Sequence, residues 1–217
     1  MRAFIERPEA TVAVPAERAQ APRPRIVPAR VKRTTADGDL GFELYRQNTL
    51  LVILATCLRR TSEDIIDPLG LDLHRVDRAL EVHRDYVVHV HYPDVDLVNE
   101  ALESQEDPRA FEGLVECKAE HARAQLFQSK VADLLRPSTL STVATAAALS
   151  RALREEADRL EMHLGREEEL LQSRLSEWLP RSRQARLLQQ IRKFDAPRIA
   201  AEIAILVWAS ELGPSAD

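Results

Sequence analysis

The sequence predicts an all-α protein: an up-down-up-down four-helix bundle with one or two extra C-terminal helices and a disordered N-terminal tail. Three observations carry that expectation. Only six of the 217 residues are glycine and 5% are aromatic, while 45% are apolar and 30% charged. That composition suits helices with one buried and one charged face. Apolar residues recur at i, i+3, i+4 and i+7 in four long stretches. No stretch reads convincingly as a strand, and no internal repeat is present.

The formal net charge is −5, which argues against nucleic acid as the main partner, since such domains are usually strongly basic. No apolar run reaches the roughly 18–20 residues of a membrane span. The first ten residues, MRAFIERPEA, lack the apolar segment of a secretory signal. Cys57 and Cys117 form no disulfide framework and read as free thiols in a reducing compartment. The expectation is a cytoplasmic protein that binds neither nucleic acid nor membrane.

Residues 1–39 are rich in Pro, Ala and Arg without apolar periodicity, the pattern of a disordered tail. Asp39 caps a first helix, about Leu40–Arg60. Its inner face carries Leu44, Leu51, Val52, Ala55 and Leu58, with Asn48 among them. Ser62–Leu71 is a turn region. A second helix, about Asp72–Leu102, puts Val87, Val88, Val95, Val98 and Leu102 inward. His91 shares that face, and Pro93 predicts a kink just before it.

A third helix, about Arg109–Leu135, is marked by Phe111, Leu114, His121, Ala124, Val131 and Leu135, and Pro137 closes it. The fourth, about Thr139–Leu179, has the stripe Leu153, Leu160, His163, Glu167, Leu171, Leu175 and Trp178. The run Arg154, Glu155, Glu156, Asp158, Arg159 reads as its solvated face. Two shorter helices follow Pro180, about Ser182–Phe194 and Arg198–Leu212. The last is apolar on most sides and belongs against the bundle or in a homodimer interface. The domain reading is therefore a 1–39 tail, a 40–180 bundle and a 181–217 helical extension.

Four inner faces carry polar groups: Asn48, His91, His121, and His163 with Glu167. His163 and Glu167 stand four residues apart, so both point the same way from one helix. An imidazole and a carboxylate presented together can hold one borderline metal ion. The bland alternative is that the histidines are neutral core groups bonded to one another, to Glu167 or to water. Glu167 could instead pair with Arg166 or Arg159, but its stripe faces inward, and a salt bridge to a histidinium is the best explanation without a metal. Asn48 suits a hydrogen bond to a histidine better than metal ligation.

Three motifs in these stretches resemble the hemerythrin-like, or HHE cation-binding, domains: VHYPDVDLVNEAL, AEHARAQ and HLGREEELL. In the first, His91 and Pro93 match the histidine and proline of that family's second helix. Glu120-His121 matches the Glu-His of the third helix, and His163, Glu167 and Glu168 match the fourth. Order and spacing agree over about Leu40–Leu179.

The resemblance implies a four-helix bundle around a non-haem di-iron centre that binds oxygen or senses oxygen, iron or nitric oxide. It departs from the family where Asn48 holds the place of the first-helix histidine, Tyr92 that of the second signature histidine, and Val95 that of a glutamate ligand. Valine cannot bind a metal, and losing a bridging carboxylate weakens a dinuclear centre. The ligand set left is His91, His121, His163 and Glu167, suited to a single non-haem iron or zinc ion.

The implied partners are a metal ion and a diatomic gas, in a sensing or storage role. No nucleophile–base pair or glycine-rich cofactor loop points to an enzyme. The alternative is a metal-free bundle that serves as a protein-interaction module. A di-iron carboxylate oxidase is disfavoured, because no Glu-x-x-His motif appears on two helices.

Overall fold

Asp39 caps the first helix as its sequence suggests: its carboxylate accepts the Gly41 N–H at 2.9 Å, and helix α1 runs Leu40–Asp64. The computed structural model describes residues 39–65, 72–104, 108–136, 143–169 and 173–213. The predicted tail, up to residue 38, lies outside them, as do Leu171 and most of the predicted turn at Ser62–Leu71. The side chains of Phe111, Leu114 and Cys117 are likewise undescribed. All described residues fall within one compact unit, 35–217.

Asp72 caps α2, Leu73–His83, by accepting from the His74 and Arg75 amides. The chain continues without a break into a π-helical stretch, Arg84–His91, and then into α3, Tyr92–Glu103. The predicted kink takes the form of this widened stretch. At its end the Tyr92 N–H bonds the Val87 carbonyl, five residues back. Pro93 follows at the first turn of α3, where its ring cannot tolerate a tight preceding turn. The wider winding buries Tyr86, Val87, Val90 and His91 together.

Helix α4 is Pro108–Leu134, α5 Val143–Glu167, α6 Ser173–Trp178, α7 Arg181–Ile191 and α8 Asp195–Glu211. Side-chain pairs fix the senses. Asn48 lies by Glu167, Arg59 by Glu161 and Ser62 by Ser150, so α1 and α5 are antiparallel. Glu120–His163 and Lys130–Glu155 make α4 antiparallel to α5. Gln128–His83 and His121–Asp96 set α4 antiparallel to the α2–α3 rod. Arg46–Glu202 and Arg60–Leu212 show α8 running in the same sense as α1.

The chain is thus all-helical among its described residues, with Leu51, Leu54, Leu58, Val87, Leu153 and Leu160 fully buried in one cluster. Ala201, Ile205 and Trp208 of α8 belong to that same cluster. A second cluster joins Leu44, Val95 and Val98 to Leu187, Leu188 and Ile191 of α7. The C-terminal helices therefore complete the core.

Helix α5 covers the middle of the predicted fourth helix, π-helical winding continues it over 168–169, and 170–172, before α6, lie outside the described residues. Two sequence expectations need correction. Val52 is 43% exposed, because Leu51 and Leu54 take the inward register of α1. Glu156 is buried, only 3% exposed, and Arg159 is nearly so. Both were expected on a solvated face, but Glu156 lies seven residues, two turns, before His163 on the same stripe.

Candidate metal centre

His91 ends the π-helical stretch, and His163 and Glu167 stand one turn apart near the end of α5. All three are buried. His91 Nε2 lies 3.4 Å from His163 Nε2 and 3.5 Å from Glu167 Oε1, and His163 Nε2 lies 3.4 Å from Glu167 Oε1. Two helices therefore present three ligand atoms at the corners of a nearly equilateral triangle.

The opposite ring nitrogens decide what those corners are. His163 Nδ1 is 2.8 Å from the Glu120 carboxylate, which only accepts, so Nδ1 carries the proton. Arg166 in turn donates to Glu120. His91 Nδ1 is 3.3 Å from Gln47 Oε1. The Gln47 amide is oriented by its other end, where Nε2 donates to Asp94 at 2.8 Å. Asp94 is held by Arg198 at 2.6 Å.

With both Nδ1 positions bonded to acceptors, both Nε2 lone pairs face the triangle's centre. Glu167 Oε1 joins them and has no hydrogen-bond donor. Its second oxygen is satisfied separately. Oriented to donate, the Asn48 amide lies 2.9 Å from Glu167 Oε2 and 3.2 Å from the Leu44 carbonyl. Asn48 thus serves the carboxylate, where a bond to histidine was expected. Neither Arg159 nor Arg166 reaches Glu167; they bind Glu156 and Glu120.

Three inward acceptors with no donor among them call for a positive charge. Burial pulls the His91 ring down to about 4, against the attraction of Glu167. Burial also opposes a charge on His163, but Glu167 and Glu120 outweigh it and raise that ring to about 9. Burial would raise Glu167, yet His91 and His163 hold it at about 2.

The spacing fits a metal as well. Bonds of about 2.0–2.1 Å to nitrogen and oxygen give tetrahedral donor separations of about 3.3–3.4 Å, against about 2.8–3.0 Å for octahedral neighbours. The observed edges match the tetrahedral value.

His121, the fourth residue expected in the site, is not brought into this triangle. Its ring centroid is 5.4 Å from that of His163, and its ring stacks on Tyr92 at 3.8 Å. Asp96 holds Nδ1 at 2.9 Å, while Nε2 is buried without a partner. Tyr92 and Asp96 therefore engage His121 rather than offering oxygens to the triangle.

Sequence reasoning missed Glu120 and Gln47 as supports. Glu120 sat inside a recognised motif and carried a signal; Gln47, an ordinary glutamine beside Asn48, did not. By its sequence position His83, near the inner stripe of the second helix, is a reserve ligand candidate, but it joins a different cluster. That ring is fully buried one turn above Val87, with Nε2 2.5 Å from Glu156 and Nδ1 2.7 Å from Gln128. Arg159 closes this second polar cluster, bonding Glu156, the Tyr92 hydroxyl at 2.9 Å and the Glu120 carbonyl at 3.1 Å.

Among the described residues, His91, His163 and Glu167 are the one cluster whose ligand atoms lie close enough to share an ion. Among the described residues no helix is long and apolar enough to cross a membrane. Compared with protein-family models, curated proteins and solved structures, the chain has no match in any of the three.

Proposed function

We propose that this protein is a hemerythrin-like, up-down-up-down four-helix bundle that holds one metal ion, zinc or non-haem ferrous iron. His91, His163 and Glu167 are its ligands. What supports the reading is the triangle of three ligand atoms, 3.4–3.5 Å apart, with the Nδ1 atom of each ring engaged outside it. The family resemblance rests on the three short motifs alone.

The supporting shell has the form that metal-binding histidines require. A carboxylate orders the His163 tautomer and an amide oxygen orders that of His91. Three protein ligands leave an open coordination position, which suits the binding of water or a diatomic gas. The unpartnered Nε2 of His121 borders that region and is the candidate to complete the set. A bound ion would supply Lewis acidity or reversible gas binding, in a sensing or storage role rather than in turnover.

A second reading is favoured by the raised affinity of His163 for a proton. A proton on its Nε2 would answer Glu167 and leave a metal-free bundle acting as an interaction module. Metal counting separates the two. The full chain is loaded anaerobically with ferrous iron or zinc, freed of excess metal, and assayed by elemental analysis. One ion per chain is expected, lost in His163→Ala and Glu167→Ala. A stoichiometry near zero for the wild-type chain with both metals refutes the metal reading.

A further inference from the structure

The middle stretches of α1 and α8 are nearly free of charge in a chain where 30% of residues are charged. From Asn48 to Leu58, α1 carries no charged residue, and from Ile199 to Ser210, α8 carries only Glu202. Arg46 grips that carboxylate with bonds of 2.5 and 2.7 Å.

Six of the eleven large hydrophobic side chains exposed among the described residues sit on these two helices: Phe42, Val52, Ile199, Ile203, Leu206 and Val207. The hydroxyls between them turn inward. Thr49 bonds the Tyr45 carbonyl, Thr56 the Val52 carbonyl and Ser210 the Val207 carbonyl, so each shows mainly carbon to solvent. The uncharged face ends beside the Ile199–Ile203–Leu206 ridge, at a hollow lined by Arg78, Glu81, Asp85 and His89 as well as by Pro197 and Ala204.

We propose that this face is the interface of a homodimer, with a second copy of the chain packed against α1 and α8 about a two-fold axis. The charge pattern selects a second copy. Near such an axis every residue meets its own image, so any charge there would face its like. A face stripped of charge satisfies that condition, and it offers nothing for a charged partner to recognise. Lipid headgroups are disfavoured too, since interfacial helices carry Lys and Arg along their polar edge.

The extent is sufficient. Helix α8 has 17 residues, about 25 Å. Two helices packed about 10 Å apart along that length give a flat footprint of about 500 Å², and side-chain relief brings the accessible area toward the roughly 800 Å² per partner of a standard interface.

The test is sedimentation equilibrium of the full chain from 1 to 100 µM. Wild type is expected at twice the chain mass. Ile203→Asp and Leu206→Asp should weaken association at least 100-fold while leaving the circular dichroism melt cooperative. Met162→Asp, an exposed apolar position on α5, should leave the dimer intact and controls for added charge. Three outcomes overturn the proposal: a wild-type monomer at every concentration, a dimer indifferent to both α8 changes, or a monomer that co-sediments with phosphatidylcholine–phosphatidylserine vesicles.

Discussion

Glu156 offers a quantitative test of the buried polar interior. Its carboxylate is 3% exposed and sits between His83 Nε2 at 2.5 Å and Arg159 Nε at 2.8 Å. Burial alone would raise its pKa; the Arg159 hydrogen bonds and the His83 ring bring it down to about 2, from an ordinary 4.5. A shift of about 2.5 units corresponds to about 3 kcal/mol. Because the folded pKa is the lower one, the ionised carboxylate stabilises the fold. That contribution is fully present above about pH 4.5 and is lost as the pH falls through 4.5 toward 2.

At pH 3 about two-thirds of it should be gone. Glu156→Gln keeps the shape, removes the titration and leaves Arg159 with a neutral partner, so it should cost about 3 kcal/mol or more near neutrality. The assay is urea unfolding of wild type and variant at pH 7 and pH 3, which cancels the other carboxylates. The stability gap should narrow by about 2 kcal/mol between those pH values. A gap of the same size at both would refute the reasoning, and with it the buried ion pair.

Two further outcomes follow from the packing and the ligand support. Glu120→Gln removes the anionic acceptor from His163 Nδ1 and should weaken metal binding about 10–100-fold with stoichiometry unchanged at saturation. Competition with a chromophoric chelator measures this, and an unchanged affinity would mean that Glu120 does not orient the ring. Trp208→Ala should cost about 3–5 kcal/mol in urea unfolding, because Trp208 is 1% exposed within the main cluster. A cost under about 1 kcal/mol would make α8 a peripheral attachment.

Helical periodicity is local, so the helical class and most inward positions were legible in the sequence: Leu44, Leu51, Val87, Val95, Val98, Leu153 and Leu160 all point where the stripes place them. The candidate triangle was legible for the same reason, since His91, His163 and Glu167 interrupt strong apolar stripes. Charged groups embedded in a run of other charges were misjudged. Glu156 and Arg159 look like surface charges until His83, 73 residues away, is known to face them. Gln47 acquires a role only through a chain of contacts from Arg198 by way of Asp94.

Charge accounting links the fold to the choice between metal and proton. Among the described residues, three carboxylates are buried on α4 and α5: Glu120, Glu156 and Glu167. Arg166 answers the first and Arg159 the second. Glu167 has no guanidinium or ammonium partner among the described residues; it has one amide donor, from Asn48, and two imidazole nitrogens. A buried carboxylate so placed requires one more positive charge. The raised pKa of His163 is the protonated answer to that requirement, and a divalent ion at the triangle's centre is the metallated one. They compete for the same Nε2 lone pair, so binding a metal near neutrality must expel the His163 proton.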